Sequence, residues 1–285
     1  MLEATPHGSI TRLHLARTVF GRPLYTVEAY LVDGLLIDSG PPATASEVVA
    51  WCRGRDVLQV VNTHHHEDHA GGDSALQRLL GVPIAAPARA VPALSDPHRL
   101  QFYRRLVWGQ PGHVEAEPLR DVVETPRYCL RVVPTPGHSP DHVCFFEPQQ
   151  GWLFSGDLFI HERARYLRAD EDAHEILVSL RSVLALRPRL LICSHAGFFE
   201  DPCAAIERKI AYWEHLADRA RALRREGLSL REVADHLLGP EGLASTVSRG
   251  HFAKINLIRS LLAEGEQTAC GSPSVKAPPP ELTPP

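Results

Sequence analysis

The 285 residues are 44% hydrophobic and 22% charged, with a formal net charge of -4. This composition excludes a disordered chain and supplies a sizeable core, for one large domain or one domain with a small appendage. The slight acidity argues against polyanion binding through bulk charge.

The first residues, Met1-Leu2-Glu3-Ala4-Thr5-Pro6, lack the basic and apolar regions of a secretory leader. No run approaches the ~18 consecutive apolar residues of a membrane span, so a cytoplasmic protein without membrane partners is expected. The six cysteines (Cys52, Cys129, Cys144, Cys193, Cys203 and Cys270) form no Cys-x-x-Cys pair. They read as buried free thiols rather than a disulfide framework.

Tyr25 to Val32 and Leu35 to Asp38 read as a hairpin turning at Asp33-Gly34. Ser46 to Arg53 has helical spacing, and Val57 to Val61 is an apolar run. A second helix over Ser74 to Leu80 stops at Gly81. A third is expected over Leu100 to Trp108, within a weakly patterned stretch from Pro92 to Pro126. Leu130–Val133, Val143–Phe146, Trp152–Phe154 and Leu190–Cys193 are strand candidates. The pattern is α/β, with more antiparallel hairpins than a doubly wound sheet carries. After Pro202 the chain turns helical, with helices expected over Ala204–Glu226, Leu230–Leu238 and Ser245–Ala263. Residues 266–285 hold six prolines and read as a disordered tail.

Four of the apolar runs end in loops rich in metal-ligating side chains. The first is followed by His64-His65-His66-Glu67-Asp68-His69, and the second by Pro136-Gly137-His138-Ser139-Pro140-Asp141-His142. Ser155-Gly156-Asp157 and Ser194-His195-Ala196-Gly197 close the other two. Neutral imidazole and carboxylate suit zinc and similar first-row ions, and strand ends hold loops in fixed positions. His65 and Glu67 alternate with the other ligand types, so they are expected to point away.

This motif set resembles that of the metallo-β-lactamase superfamily, over roughly residues 8 to 200. Ile37-Asp38-Ser39-Gly40 is similar to the family's early Asp-Thr/Ser-Gly turn. The resemblance implies an αβ/βα sandwich of two β-sheets flanked by helices. It implies a catalytic domain over 1–201, with a helical C-terminal region over 202–265. It also implies one metal on His64, His66 and His138, and a second on Asp68, His69 and His195, with Asp157 bridging. Asp38 and His142 are expected to orient these ligands from behind.

Two divalent ions, zinc by default with iron or manganese as alternatives, would share a hydroxide that attacks a carbonyl or phosphorus, and Asp68 would orient it or carry its proton. The leading expectation is a metal-dependent hydrolase of a small ester, thioester or lactone. The alternatives are an endoribonuclease or phosphodiesterase, and a metal-loaded partner-binding or regulatory protein. The C-terminal region carries ten Lys/Arg against eight Asp/Glu between Ala204 and Gly265, a poor footprint for nucleic acid. Its favoured role is packing. His161, Arg163, Arg165 and Tyr166, after the Asp157 loop, and Arg104, on the helix near the mouth, are candidates for gripping an anionic substrate.

Overall fold

The computed structural model describes residues 1–19 and 21–263. The expected tail at 266–285 and Cys270 lie outside the described residues. Among the described residues the other five cysteines are free, with Cys129 exposed and Cys52, Cys144 and Cys193 buried.

Seven strands form the first sheet in chain order: β1 (Leu2–His7), β2 (Ile10–Val19), β3 (Arg22–Val32), β4 (Leu35–Ile37), β5 (Gln59–Val61), β6 (Ile84–Ala86) and β7 (Ala116–Pro118). Neighbours are antiparallel from β1 to β4 and parallel from β4 to β7. The next strands are β8 (Val122–Glu124), β9 (Cys129–Pro134), β10 (Val143–Glu147), β11 (Trp152–Gly156), β12 (Leu167–Arg168), β13 (Leu190–Cys193), β14 (Gly197–Phe199) and β15 (Phe252–Ala253). Six of them make the second sheet, in the order β14-β13-β11-β10-β9-β8, while β12 pairs with β15.

Strand alternation assigns the side chains to three apolar layers. In β4, Leu35 and Ile37 face the second sheet while Leu36 faces outward. In β10, Val143 and Phe145 face the first sheet while Cys144 and Phe146 face outward. The helices are α1 (Ala45–Cys52), α2 (Glu67–Ala70), α3 (Asp73–Leu80), α4 (Val91–Ser95), α5 (Phe102–Val107), α6 (Ala173–Ala185), α7 (Pro202–Arg225), α8 (Leu230–Leu238), α9 (Leu243–Val247) and α10 (Lys254–Leu262). Residues of α1, α3 and α4 cover the outer face of the first sheet, and residues of α6, α7, α8 and α10 cover that of the second. The result is the expected αβ/βα sandwich.

One expectation needs correction, and one helix is new. The single helix over Ser245–Ala263 is three elements: α9, then β15, then α10. Arg249 and Gly250 take φ of +54° and +82°, and successive left-handed residues cannot continue a right-handed helix. The 13-residue α6 was not expected from the sequence. Its N-terminus is capped by the Asp172 carboxylate, which accepts from the backbone N–H of His174 and Glu175. Ile176, Leu177, Leu180 and Val183 form its buried stripe. No described helix is long and apolar enough to cross a membrane.

Strand direction gathers the functional loops at one edge. β4 and β5 are parallel, with Ile37 opposite Val61, so Asp38 lies beside the His64 loop. β11 and β13 are also parallel, with Gly156 opposite Cys193, so Asp157 lies beside His195. β9 runs antiparallel to β10, and β10 to β11, so β9 delivers His138 to the same edge. Three hydrogen bonds join the sheets there: Val143 N to Thr63 O at 2.9 Å, Glu28 N to Ser194 O at 2.6 Å, and Tyr30 Oη to Cys193 O at 2.6 Å. The Tyr30 hydroxyl is buried, and Tyr30→Phe removes its bond to the Cys193 carbonyl. Urea unfolding should show a loss of about 1 kcal/mol in stability with an unchanged m-value.

Candidate metal centre

The structure brings all seven sequence-predicted ligands together as two groups. His64, His66 and His138 form one, and Asp68, His69, Asp157 and His195 form the other, with the ligand atoms in each group within 4.8 Å of one another. Asp157 spans the two. Its Oδ2 lies 3.2 Å from His138 Nε2, and its Oδ1 lies 3.2 Å from both His69 Nε2 and His195 Nε2. Asp68 Oδ2 stands farther off, 3.6 Å from His195 Nε2 and 3.8 Å from His69 Nε2.

The ring orientations follow from what lies behind them. Asp38 accepts from His69 Nδ1 at 2.8 Å and from the Thr63 backbone N–H at 2.8 Å. The Thr63 hydroxyl also donates to Asp38, at 3.0 Å, which leaves its oxygen to accept from His64 Nδ1 at 3.0 Å. Glu171 Oε1 lies 2.7 Å from His138 Nδ1, and the Thr26 carbonyl lies 2.8 Å from His195 Nδ1. These acceptors place the proton of all four rings on Nδ1. Each Nε2 is therefore aimed at the centre, the orientation a metal ligand needs once that nitrogen carries no proton.

His142 supports the site from beneath. Its Nδ1 donates to Thr135 Oγ1 at 2.8 Å, and its Nε2 accepts from Asp157 N at 3.1 Å. Burial, then the neighbouring His138, pushes its pKa down to about 3, so the ring is neutral as this geometry requires. Gly156 makes the approach possible. Its φ is +48°, and a Cβ there would meet His142 Nε2 at 2.6 Å.

The buried polar atoms show the fit to a cation directly. His64 Nε2, His69 Nε2 and Asp157 Oδ1 are all buried without a hydrogen-bond partner. Unpaired buried polar atoms cost about 1–3 kcal/mol each, and a divalent cation among them would offset that cost. Burial and the adjacent His69 and His138 rings hold His64 well below the usual imidazole range, so it is neutral and free to ligate. His69 and His195 behave differently. Burial lowers both, but Asp157 and its neighbouring carboxylates outweigh it, raising His69 and carrying His195 up to about 9.

The sequence matches the family model of the metallo-beta-lactamase superfamily over residues 23–195. The chain belongs to this superfamily. As a metallo-beta-lactamase superfamily member, it is 37% identical over 105 residues to a hydroxyacylglutathione hydrolase of Maricaulis maris, covering 36% of this chain and 34% of that protein. It is 31% identical over 169 residues to one from Cereibacter sphaeroides, covering 59% and 57%. The chain thus spans between a third and three fifths of these relatives. An atrochrysone carboxyl ACP thioesterase of Aspergillus fumigatus is 28% identical over 217 residues, 72% of this chain and 63% of that protein. Among solved structures, a beta-lactamase domain protein from Burkholderia ambifaria shares the superfamily fold with a TM-score of 0.70 at 19% identity, covering 91% and 87% of the two chains.

Around this superfamily centre the remaining candidates part company. His65 points away and pairs with Asp141, its Nδ1 2.9 Å from Oδ1. Glu67 is buried and forms a two-pronged pair with Arg104 of α5, so that guanidinium is already engaged. His161, Arg163 and Arg165 are exposed, and His161 Nδ1 only accepts from the nearby Arg163 N–H. Tyr166 stacks on Phe252 in the C-terminal region, with ring centroids 5.2 Å apart. Thr63, Glu171 and Arg168 escaped the sequence reading. Thr63 directly precedes the histidine cluster, and Glu171 lies in the acidic run Asp170-Glu171-Asp172, a signal left unused in the sequence reading.

Two outcomes follow for metal binding. Asp38→Ala frees the His69 ring and should weaken metal affinity about 10–100-fold in a chelator-competition titration. His195, with its folded pKa raised to about 9, must lose a proton to ligate. Metal affinity should therefore fall as pH falls below that value, by about tenfold per pH unit for each proton displaced, and proton release should accompany metal uptake in weak buffer.

Proposed function

We propose that the chain is a hydrolase that uses two divalent ions, zinc by preference, on a small thioester or a related ester or lactone. The observation that carries this reading is the carboxylate of Asp157, which reaches the three-histidine group with one oxygen and the second group with the other. His64, His66 and His138 would hold one ion, and Asp68, His69 and His195 the other, with Asp157 shared. Bound there, divalent ions supply Lewis acidity, which makes water a stronger acid at neutral pH and offsets negative charge developing on oxygen. The names of the hydroxyacylglutathione hydrolases and of the ACP thioesterase favour a thioester.

The chain's own side chains divide the remaining work. Asp68 is the carboxylate least engaged with the imidazoles, so it is placed to take a proton from water and return it to the leaving group. Trp108 lies beside His195, with ring centroids 6.4 Å apart, and Tyr25 lies 6.1 Å from Trp108. They give the site an apolar flank for the carbon part of a substrate. Arg17 fixes that flank, donating through Nη1 to the carbonyls of Arg105 at 3.1 Å and Leu106 at 2.8 Å, at the C-terminal end of α5.

The test is a panel of thioester, ester, lactone and phosphodiester probes on zinc-loaded protein. Thioester cleavage should be the fastest reaction, stop on chelation and return with zinc. His66→Ala and Asp68→Ala should each lower kcat/KM by about a hundredfold or more. Preferential phosphodiester cleavage would establish the nuclease alternative instead. Absence of turnover on every probe would leave the partner-binding alternative in its place.

A further inference from the structure

Arg168 is the cation closest to the three-histidine group, and no motif includes it. Its Nη2 lies 3.0 Å from His66 Nε2, its Nη1 lies 3.3 Å from His66 Nδ1, and Nη2 also donates to the His138 carbonyl at 3.1 Å. On the opposite side of the guanidinium, Nε donates to Asp170 Oδ1 at 3.1 Å and lies 3.7 Å from Glu171 Oε1. The side chain is 13% exposed, so most of its donors depend on protein partners.

The C-terminal region sets this position. β12 carries Arg168 and pairs with β15, with Arg168 opposite Phe252. Asn256 Nδ2 donates to the Leu167 carbonyl at 3.2 Å, and Ala169 N donates to His251 O at 2.8 Å. The His251 ring reaches Tyr103 of α5, with Nδ1 2.7 Å from the phenol oxygen, and its Nε2 lies 3.6 Å from Asp170. Arg168 is thus braced from three sides against a ligand histidine.

A valence count shows what that placement leaves open. A neutral imidazole has one acceptor nitrogen. Once either nitrogen of His66 binds a metal ion, the other carries the ring proton, and neither can accept from Arg168. The guanidinium then keeps Asp170 and the His138 carbonyl as acceptors, while its Nη edge points at the metal ligands with donors unmatched. Unmatched donors on a mostly buried guanidinium call for an acceptor. The contacts with Asp170 and Glu171 are both made at Nε, so neither carboxylate serves the Nη donors.

We infer that Arg168 is the residue that grips an anionic group of the substrate, a carboxylate or phosphate, on the His66 side of the metal centre. This deepens the hydrolase reading and rests on metal loading of the three-histidine group. It assigns the C-terminal region a part in substrate choice through β15. The planar fork presents two parallel N–H donors, the match for two oxygens of one anion.

The experiment compares zinc-loaded wild type, Arg168→Gln and Arg168→Lys, with Arg181→Gln, which removes a surface arginine paired with Glu214, as the charge control. Calorimetric titrations use acetate and inorganic phosphate separately. Kinetics use thioester pairs that differ only by a carboxylate or a phosphate on the acyl chain. Arg168→Gln should lose about tenfold or more in affinity for one of the two anions and a similar factor in preference for that charged thioester, chiefly through KM. Zinc content should stay at the wild-type value, and Arg168→Lys should recover part of the loss. The anion that responds identifies the group. Unchanged affinity for both anions in Arg168→Gln overturns the inference. So does loss of zinc in both Arg168 variants, which would make Arg168 a support for the metal ligands. If no thioester is turned over, the hydrolase reading fails while the titrations still decide on Arg168.

Discussion

Everything at this site depends on one arrangement: imidazole nitrogens and carboxylate oxygens crowded into a buried space with too few protons between them. Four histidines have Nδ1 tied to Asp38, Thr63, Glu171 and the Thr26 carbonyl, so their Nε2 atoms converge. Those of His64 and His69, and Asp157 Oδ1 beside them, have no hydrogen-bond partner in the protein. A protein interior does not tolerate that concentration of acceptors without compensation, and a divalent cation is the simplest species that supplies it. The raised pKa of His195 expresses the same imbalance: without an ion, protons serve as the positive charge that the carboxylates demand.

The fold delivers this arrangement through strand direction more than through local sequence. Parallel pairing of β4 with β5 and of β11 with β13 brings four loop starts to one edge, and antiparallel β9 and β10 bring a fifth. The sheets are then fixed to each other at that edge by Val143, Glu28 and Tyr30. Around this rigid floor the walls are contributed by distant segments. α5 brings the Arg104–Glu67 pair and, just past its end, Trp108, while β12, paired with β15 of the C-terminal region, brings Arg168.

That division explains what could be read from the sequence. His64, His66, Asp68, His69, His138, Asp157 and His195 stand in short motifs at strand ends, where local chemistry and strand termination coincide, so the candidate ligand set was legible. So was the sandwich, because the apolar runs before each motif alternate or stay continuous as strands do. The orienting groups were only partly legible. Asp38 and His142 belong to motifs, but Glu171 and the Thr26 carbonyl work through pairings that span tens of residues. Arg168 is ordinary in sequence and becomes notable only through the β12–β15 pair. The arginines at 163 and 165 look equally apt in sequence, yet they are exposed. The helix expected over 245–263 failed for a backbone reason, since nothing in its apolar spacing reports the left-handed turn at Arg249 and Gly250.

The proposed two-ion centre depends on Asp157. The most direct measurement is metal stoichiometry together with the magnetic spectrum of cobalt-substituted protein, wild type against Asp157→Asn. Two ions per chain with magnetic coupling in the wild type, and loss of the coupling with one ion or none held tightly in the variant, is the result expected. A single ion per chain in the wild type, or two uncoupled ions unaffected by Asp157→Asn, would contradict it.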